Sequence, residues 1–203
     1  MDLDSYLTIR NSSEGLYKEK GSRFIAFVYP IEAADEVKEI VQSLRKKYHD
    51  ARHICYAYIL GADSSEYRVN DDGEPSGTAG KPIHGVLLSN NLTNVLIVVV
   101  RYFGGVKLGT SGLITAYRDA AMDAINHAEI INKTVQVYYF ISFQYTAMNA
   151  VMSLLKEKDC EITKQLFDND CMIEFSVRKL HAEDLENKIK LVESLILKLL
   201  KTK

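Results

Sequence analysis

Two stretches of this 203-residue chain gather residue types that could do chemistry. The first is Asp71-Asp72-Gly73-Glu74-Pro75-Ser76-Gly77-Thr78-Ala79-Gly80-Lys81. Its carboxylates, hydroxyls and lysine share a loop whose glycines let backbone N–H groups approach a ligand without obstruction from a Cβ, which suits phosphate. It is not a Walker A loop. Counting back from Gly80-Lys81 puts Pro75 where that pattern needs its first glycine and Pro82 where it needs a hydroxyl. Asp71, Asp72 and Glu74 could instead hold a divalent cation through oxygen, although without the spacing of a calcium-binding loop. The purely structural alternative is a turn whose Asp side chains cap backbone amides.

The second stretch is Arg101-Tyr102-Phe103-Gly104-Gly105-Val106-Lys107-Leu108-Gly109-Thr110-Ser111-Gly112. It falls where a buried strand should end and a helix begin, the place at which α/β sheets present free helix N–H groups to an anion. Arg101 and Lys107 add positive charge. No G-x-G-x-x-G is present, and Thr110 stands where a P-loop lysine would follow Gly109. Here the structural alternative makes Thr110 or Ser111 an N-cap and the glycines an aid to tight packing. Nucleophilic catalysis has weaker support: His53-x-Cys55 puts an imidazole and a thiol on one face of a strand, but a small buried cysteine is the commoner reading. His84 follows the first loop closely enough to sit over the same cleft. Tyr138, Tyr139 and Tyr145 could form a stacking platform, except that alternation assigns Tyr139 to the core set.

The elements that must position these groups follow from periodicity. Leu16 to Lys20 and Phe24 to Ile31 read as a hairpin about Gly21-Ser22. Val37, Ile40, Val41, Leu44 and Tyr48 lie on one face of a helix within residues 32–48. His53 to Leu60 reads as a buried strand, Glu66 to Asn70 as a short partner, and Val95 to Val100 as the central strand. Residues 71–83 hold three glycines and two prolines and exclude regular structure until about Lys81, with one or two helical turns over 84–90. After the second loop, Leu113, Tyr117, Ala120, Ala121, Ala124 and Ile125 define a helix. Beyond it the character changes, because no proline follows Pro82 and no glycine follows Gly112. Val135 to Phe143 alternates as a strand, Met148, Val151, Met152 and Leu155 mark a helix, and strands at 161–167 and 172–178 join at Asp168-Asn169-Asp170. A last helix, with the stripe Leu185, Ile189, Val192, Ile196, Leu199 and Leu200, would close a β-α-β-β-α unit. The expected domains are therefore 1–131 and 132–203.

Composition sets the outer limits. Apolar residues at 47% and charged residues at 26% describe a folding chain, and a net charge of -2 supplies no global field toward nucleic acid or anionic lipid. Residues 1–130 carry 14 basic and 17 acidic groups and residues 131–203 carry 11 and 10, so any phosphate binding must be local. Three cysteines without metal-type spacing encode neither a disulfide framework nor a zinc site and fit a reducing cytosol. The start MDLDSYLTIR lacks the charge and apolar region of a signal peptide, and the longest aliphatic run, Val95 to Val100, is far too short to span a bilayer. A cytoplasmic protein without a membrane partner is expected.

Taken together, DDGEPSGTAGKPI and VVVRYFGGVKLGTSGLITAYRDAA resemble the two signature segments of the YigZ/IMPACT family, in the family's order and separation. The resemblance implies an α+β protein of two domains: a two-layer α/β domain like the second domain of a small-subunit ribosomal protein, then a ferredoxin-like module akin to one in elongation factors. It also implies a link to translation through RNA or the ribosome, without the additional amino-terminal interaction domain of the eukaryotic regulators and without an assignable enzyme activity or cofactor. The protein partner stays open. The reading adopted from sequence is a non-catalytic binding or regulatory protein that takes a phosphate-bearing ligand between the two loops, through Asp71, Asp72, Gly73, Glu74, Ser76, Gly77, Thr78, Gly80, Lys81, Arg101, Gly104, Gly105, Lys107 and Gly109. Its rival is an enzyme acting on a nucleotide or phosphorylated metabolite, with magnesium on the carboxylates. A third reading is a protein-binding module using the sheet of the second domain.

Overall fold

The computed structural model describes residues 4–168 and 170–202, and the chain divides into two units. The larger spans Tyr6–Lys133, while residues 4–5 join those from Thr134 onward in the smaller. The amino-terminal residues thus belong to the unit formed by the far end of the chain.

In the larger unit an antiparallel sheet has the order β2-β3-β6-β4-β5, formed by Ser13–Glu19, Ser22–Pro30, Val95–Tyr102, His53–Leu60 and Glu66–Asn70. The hairpin, the central strand and the short partner stand where periodicity puts them. Val95 to Val100 is fully buried on both alternating sets, so the sheet needs cover on both faces. On one face, α2 (Gly80–Ser89) and α3 (Gly109–Asn126) pack Ile83, Leu87, Ala116, Tyr117 and Ala120 against Phe24, Cys55 and Val99. On the other, α1 (Ala34–Lys47) packs Val37 and Leu44 against Phe27, Ile54 and Val98. Where the resemblance implies two layers, α1 therefore adds a third. The first helix after the glycine-rich loop is also longer than the one or two turns expected, because Pro82 occupies its first turn, where a missing N–H costs nothing.

Two short strands, β1 (Ser5–Ile9) and β7 (Ile130–Thr134), form a separate ribbon that periodicity did not reveal. Neither alternates cleanly: Thr8 and Ile9 are buried in succession in β1, and Asn132 and Lys133 are exposed in succession in β7.

The smaller unit has β8 (Gln136–Phe143), α4 (Met148–Glu157), β9 (Glu161–Phe167), β10 (Cys171–Arg178), α5 (Lys179–Ile189) and β11 (Leu195–Thr202), with sheet order β11-β8-β10-β9. The turn expected at Asp168-Asn169-Asp170 includes Asn169, which lies outside the described residues. The closing helix is corrected. It ends at Ile189, the backbone turns through Ser194 at φ 58°, and residues 195–202 pair with β8 as an edge strand. In a leucine-rich run Ile196, Leu199 and Leu200 satisfy a helical stripe as readily as Leu195, Leu197 and Leu199 satisfy alternation. The vacant edge of β8 decides between them, because its backbone N–H and C=O groups need partners. The result is β-α-β-β-α-β, the full ferredoxin-like order.

Asp4 anchors this unit. Its carboxylate takes Arg178 in a two-pronged pair, Nη2 to Oδ1 at 2.8 Å and Nε to Oδ2 at 3.0 Å, and accepts the Leu180 N–H at 2.9 Å, which caps α5. Its carbonyl accepts the Val135 N–H at 2.8 Å. The hydrogen bond from Arg178 holds the Asp4 carboxyl below the usual carboxylate range, against the opposing effect of burial. A depressed folded-state pKa contributes stability that is present above the unfolded value of about 3.9 and is lost as pH falls through the folded value. Asp4→Asn is expected to lower urea stability at pH 7 and pH 5, with the gap to the parent closing toward pH 3. A gap of equal size at all three pH values would mean that the ion pair does not supply it.

Candidate functional site

The two glycine-rich loops leave the same end of the larger unit's sheet. His53, at the start of β4, sits opposite Arg101, near the end of the antiparallel β6. The first loop folds down on that end. Asp72 accepts the Ile54 N–H at 2.7 Å through Oδ2 and pairs with Arg45 at 2.9 Å through Oδ1, with its own backbone at φ 42°. The Asp72 carbonyl lies 2.8 Å from His53 Nδ1, and since a carbonyl only accepts, Nδ1 carries the proton there. The Cys55 thiol in turn donates to the Asp71 carbonyl at 3.0 Å.

Asp71 closes the loop on itself. One carboxylate oxygen accepts the Gly77 N–H at 2.8 Å, and the other accepts those of Ala79 at 3.0 Å and Gly80 at 2.8 Å, where α2 begins. Burial would raise its pKa, but the three N–H donors and Lys81 outweigh that and hold it low. This is the amide-capping role that sequence offered as the structural alternative. Thr78 joins in, its hydroxyl donating to the Pro75 carbonyl at 2.6 Å.

Glu74 occupies the floor. It is 8% exposed, and its Oε1 accepts from Arg101 Nη1 at 2.5 Å and from the Tyr117 hydroxyl at 2.8 Å, with His53 Nε2 at 4.0 Å. Arg101 itself is 6% exposed, with its guanidinium carbon 5.3 Å from the Phe24 ring centre and 5.7 Å from that of Phe103. Its Nε is buried and has no hydrogen-bond partner, the one such side-chain atom among the described residues. Arg101, expected to lie at the ligand surface, is thus drawn inside by Glu74 with one donor left over.

The second loop is different in character. A Cβ at Gly104 would meet the Gly21 carbonyl carbon at 1.9 Å, so this glycine serves a close approach to the β2–β3 turn. Gly105 and Gly109, at φ 88° and 73°, have nothing within 4 Å of the same position and face open space. Lys107, Thr110 and Ser111 are exposed. The α3 N-terminus has Leu108 at its cap position, no side-chain cap and no acidic residue in its first turn, which leaves its first N–H groups unsatisfied by side chains.

Of the residues nominated from sequence, Asp71, Asp72, Glu74, Thr78 and Arg101 make internal bonds. Gly80 and Gly104 serve packing, and Gly73, Ser76, Lys81, Gly105, Lys107 and Gly109 are exposed, with Gly77 half-buried. Tyr117, Arg45 and Phe24 were missed. Tyr117 looked like one more apolar residue on α3, and its signal was that a buried Tyr hydroxyl needs a partner. His84 stacks on Tyr67 with ring centres 4.6 Å apart, and burial lowers its pKa.

The chemistry available here is limited by these commitments. Burial pushes the Cys55 thiol far up, as it does the Tyr117 hydroxyl, so neither supplies an anion at neutral pH. Among the described residues no three of His, Cys, Asp and Glu converge as a metal ion would require. Removing one partner of a buried ion pair leaves the other charge uncompensated, so Glu74→Leu alone is expected to cost ~3–5 kcal/mol in denaturant unfolding. Glu74→Leu with Arg101→Met should recover most of that loss. A double variant as unstable as the single would show that the pair is not what couples the two side chains.

Comparison with known proteins bears on the same segments. The Impact N-terminal domain matches residues 20–125, which hold both loops. The chain is 36% identical over 155 residues to the IMPACT family member YvyE of Bacillus subtilis, covering 76% of this chain and 71% of that one. It is 37% identical to YigZ of Escherichia coli over 145 residues, 70% and 71% of the two chains. To protein IMPACT of Rattus norvegicus it is 32% identical over 95 residues, 45% of this chain and 30% of the rat protein. A crystal structure described as that of a hypothetical protein superposes with a TM-score of 0.73 at 30% identity, over 98% of both chains. With both loops inside the matched domain and more than two thirds of two bacterial relatives covered, this chain belongs to the IMPACT family.

Proposed function

We propose that this chain is a non-catalytic regulatory protein of the IMPACT type that works in the cytoplasm, linked to translation, by binding the phosphate backbone of RNA, free or in the ribosome. One observation carries the reading: the acids of the first loop are engaged, and the groups left over at the second are donors. Asp71, Asp72 and Glu74 each accept bonds from within the protein, whereas the first α3 N–H groups and the exposed Lys107 ammonium are not given partners by side chains. Such a set seeks an anion.

In this reading the Glu74 carboxylate neutralises Arg101 and fixes the end of β6, from which the loop reaches α3. The open space at Gly105 and Gly109 admits a phosphate oxygen to the helix N-terminus, and Lys107 supplies the charge that draws it in. Lys81 and Ser76, exposed on the first loop, extend the contact along a backbone. No RNA base is read here, so binding is expected to be general in sequence. The rival enzyme would need Asp71, Asp72 or Glu74 free to take a proton or to hold magnesium on a nucleotide. Their internal bonds favour binding over turnover.

Lys107→Ala should weaken binding to every RNA sequence alike and reduce the salt dependence by about one unit of slope, as read by fluorescence anisotropy. Ser111→Glu separates binding from folding: an acid in the first turn of α3 stabilises the helix while repelling phosphate, so thermal stability should hold or rise as binding falls. No RNA or ribosome binding at low salt, with magnesium-dependent nucleotide turnover lost in Asp72→Asn, would replace this reading by the enzyme.

A further inference from the structure

The sheet of the smaller unit carries its helices on one face only. Val137, Tyr139, Ile141 and Phe143 of β8 and Cys171, Ile173, Phe175 and Val177 of β10 bury beneath α4 and α5. The opposite face has no element of this unit on it, and strand register gives its layout. One cross-strand row is Ile196, Ser142, Met172 and Leu166, the next Lys198, Phe140, Glu174 and Lys164, and the third Lys201, Tyr138, Ser176 and Glu161. Its margins are open, with Ile196 at 58% and Leu166 at 55% exposure, while Ser176 in the third row is buried at 3%.

From this layout we propose that the open face binds single-stranded nucleic acid by stacking its bases on Phe140 and Tyr138. These rings stand two residues apart on β8, on one side of the sheet and only half-buried. On the β11 side they are bordered by Lys198 and Lys201, with no acid between; the Lys201 ammonium lies over the Tyr138 ring, 4.8 Å from its centre, so a base that stacks there displaces it toward the strand's phosphates. On the other side stand Glu161 and Glu174, the latter paired with Lys164 at 3.7 Å, so the positive edge of the face is the β11 side. Aromatic rings set beside a line of cations match the alternation of flat bases and anionic phosphates in a single strand. A duplex offers no free base faces and gains only the lysines. This site lies in a different unit from the glycine-rich loops and does not rest on their reading.

The test uses the full chain and two labelled probes of equal length, a single-stranded RNA and an abasic strand with the same number of phosphates. The parent should bind the base-bearing strand more tightly. Phe140→Leu and Tyr138→Leu should each weaken that binding by about tenfold and leave the abasic strand unaffected, while Tyr138→Phe keeps the ring and the affinity. Lys198→Gln with Lys201→Gln, both at exposed positions, should flatten the salt dependence by about two units even if a ring variant folds poorly. A single-stranded DNA probe of the same length should bind about as well as the RNA, since stacking accepts both sugars. Lys107→Ala should lower binding to both probes equally, and its failure to do so would count against the loops alone. Equal affinity of the parent for base-bearing and abasic strands would overturn the stacking site. So would a dimer in sedimentation that Ile196→Lys dissolves without any preference for bases, because the occupant would then be a second copy of the chain.

Discussion

Removing a carboxylate and a guanidinium from water together is favourable only when each finds geometry and further hydrogen bonds good enough to offset the lost hydration. Glu74 and Arg101 meet that demand with help from the Tyr117 hydroxyl, and the three belong to different parts of the larger unit: a loop, a central strand and a helix. Because none of the three can move without stranding the others, the first loop, the end of β6 and the start of the path into α3 keep one arrangement. Cys55 and His53 add to it by holding the carbonyls of Asp71 and Asp72, which ties the loop to β4 as well.

That constraint separates two kinds of polar chemistry that sequence presents alike. An acid, a thiol and an imidazole within one cleft suggest catalysis, yet each here is occupied in holding a loop in place, and burial has raised the thiol and the phenol beyond use as nucleophiles. The donors have the opposite fate. Arg101 keeps a buried N–H without a partner, and the helix that follows begins without a side-chain cap.

The two units also manage their surfaces differently. The larger covers both faces of its sheet with helices and carries its two glycine-rich loops at one end. The smaller covers a single face and leaves the other with Phe140 and Tyr138 beside Lys198 and Lys201. The portion shared with rat IMPACT covers 95 residues, whereas the bacterial relatives match over a longer stretch of the chain.

Much of this protein was determined by its sequence alone. Alternation and helical spacing located the hairpin about Gly21, the strands through Val95 to Val100 and Val135 to Phe143, and α1 and α3, because each buries a regular face whose period is local. The two glycine-rich strings carried the family. What needed tertiary structure were the choices settled by distant partners. Residues 195–202 satisfied both periods until the free edge of β8 selected a strand, and β1 and β7 have little pattern of their own apart from each other. Asp71, Glu74 and Arg101 were legible as charged loop residues, but whether a charge faces water or a buried partner depends on which side chains the fold brings within about 3 Å, and Tyr117 lies 43 positions from Glu74 along the chain.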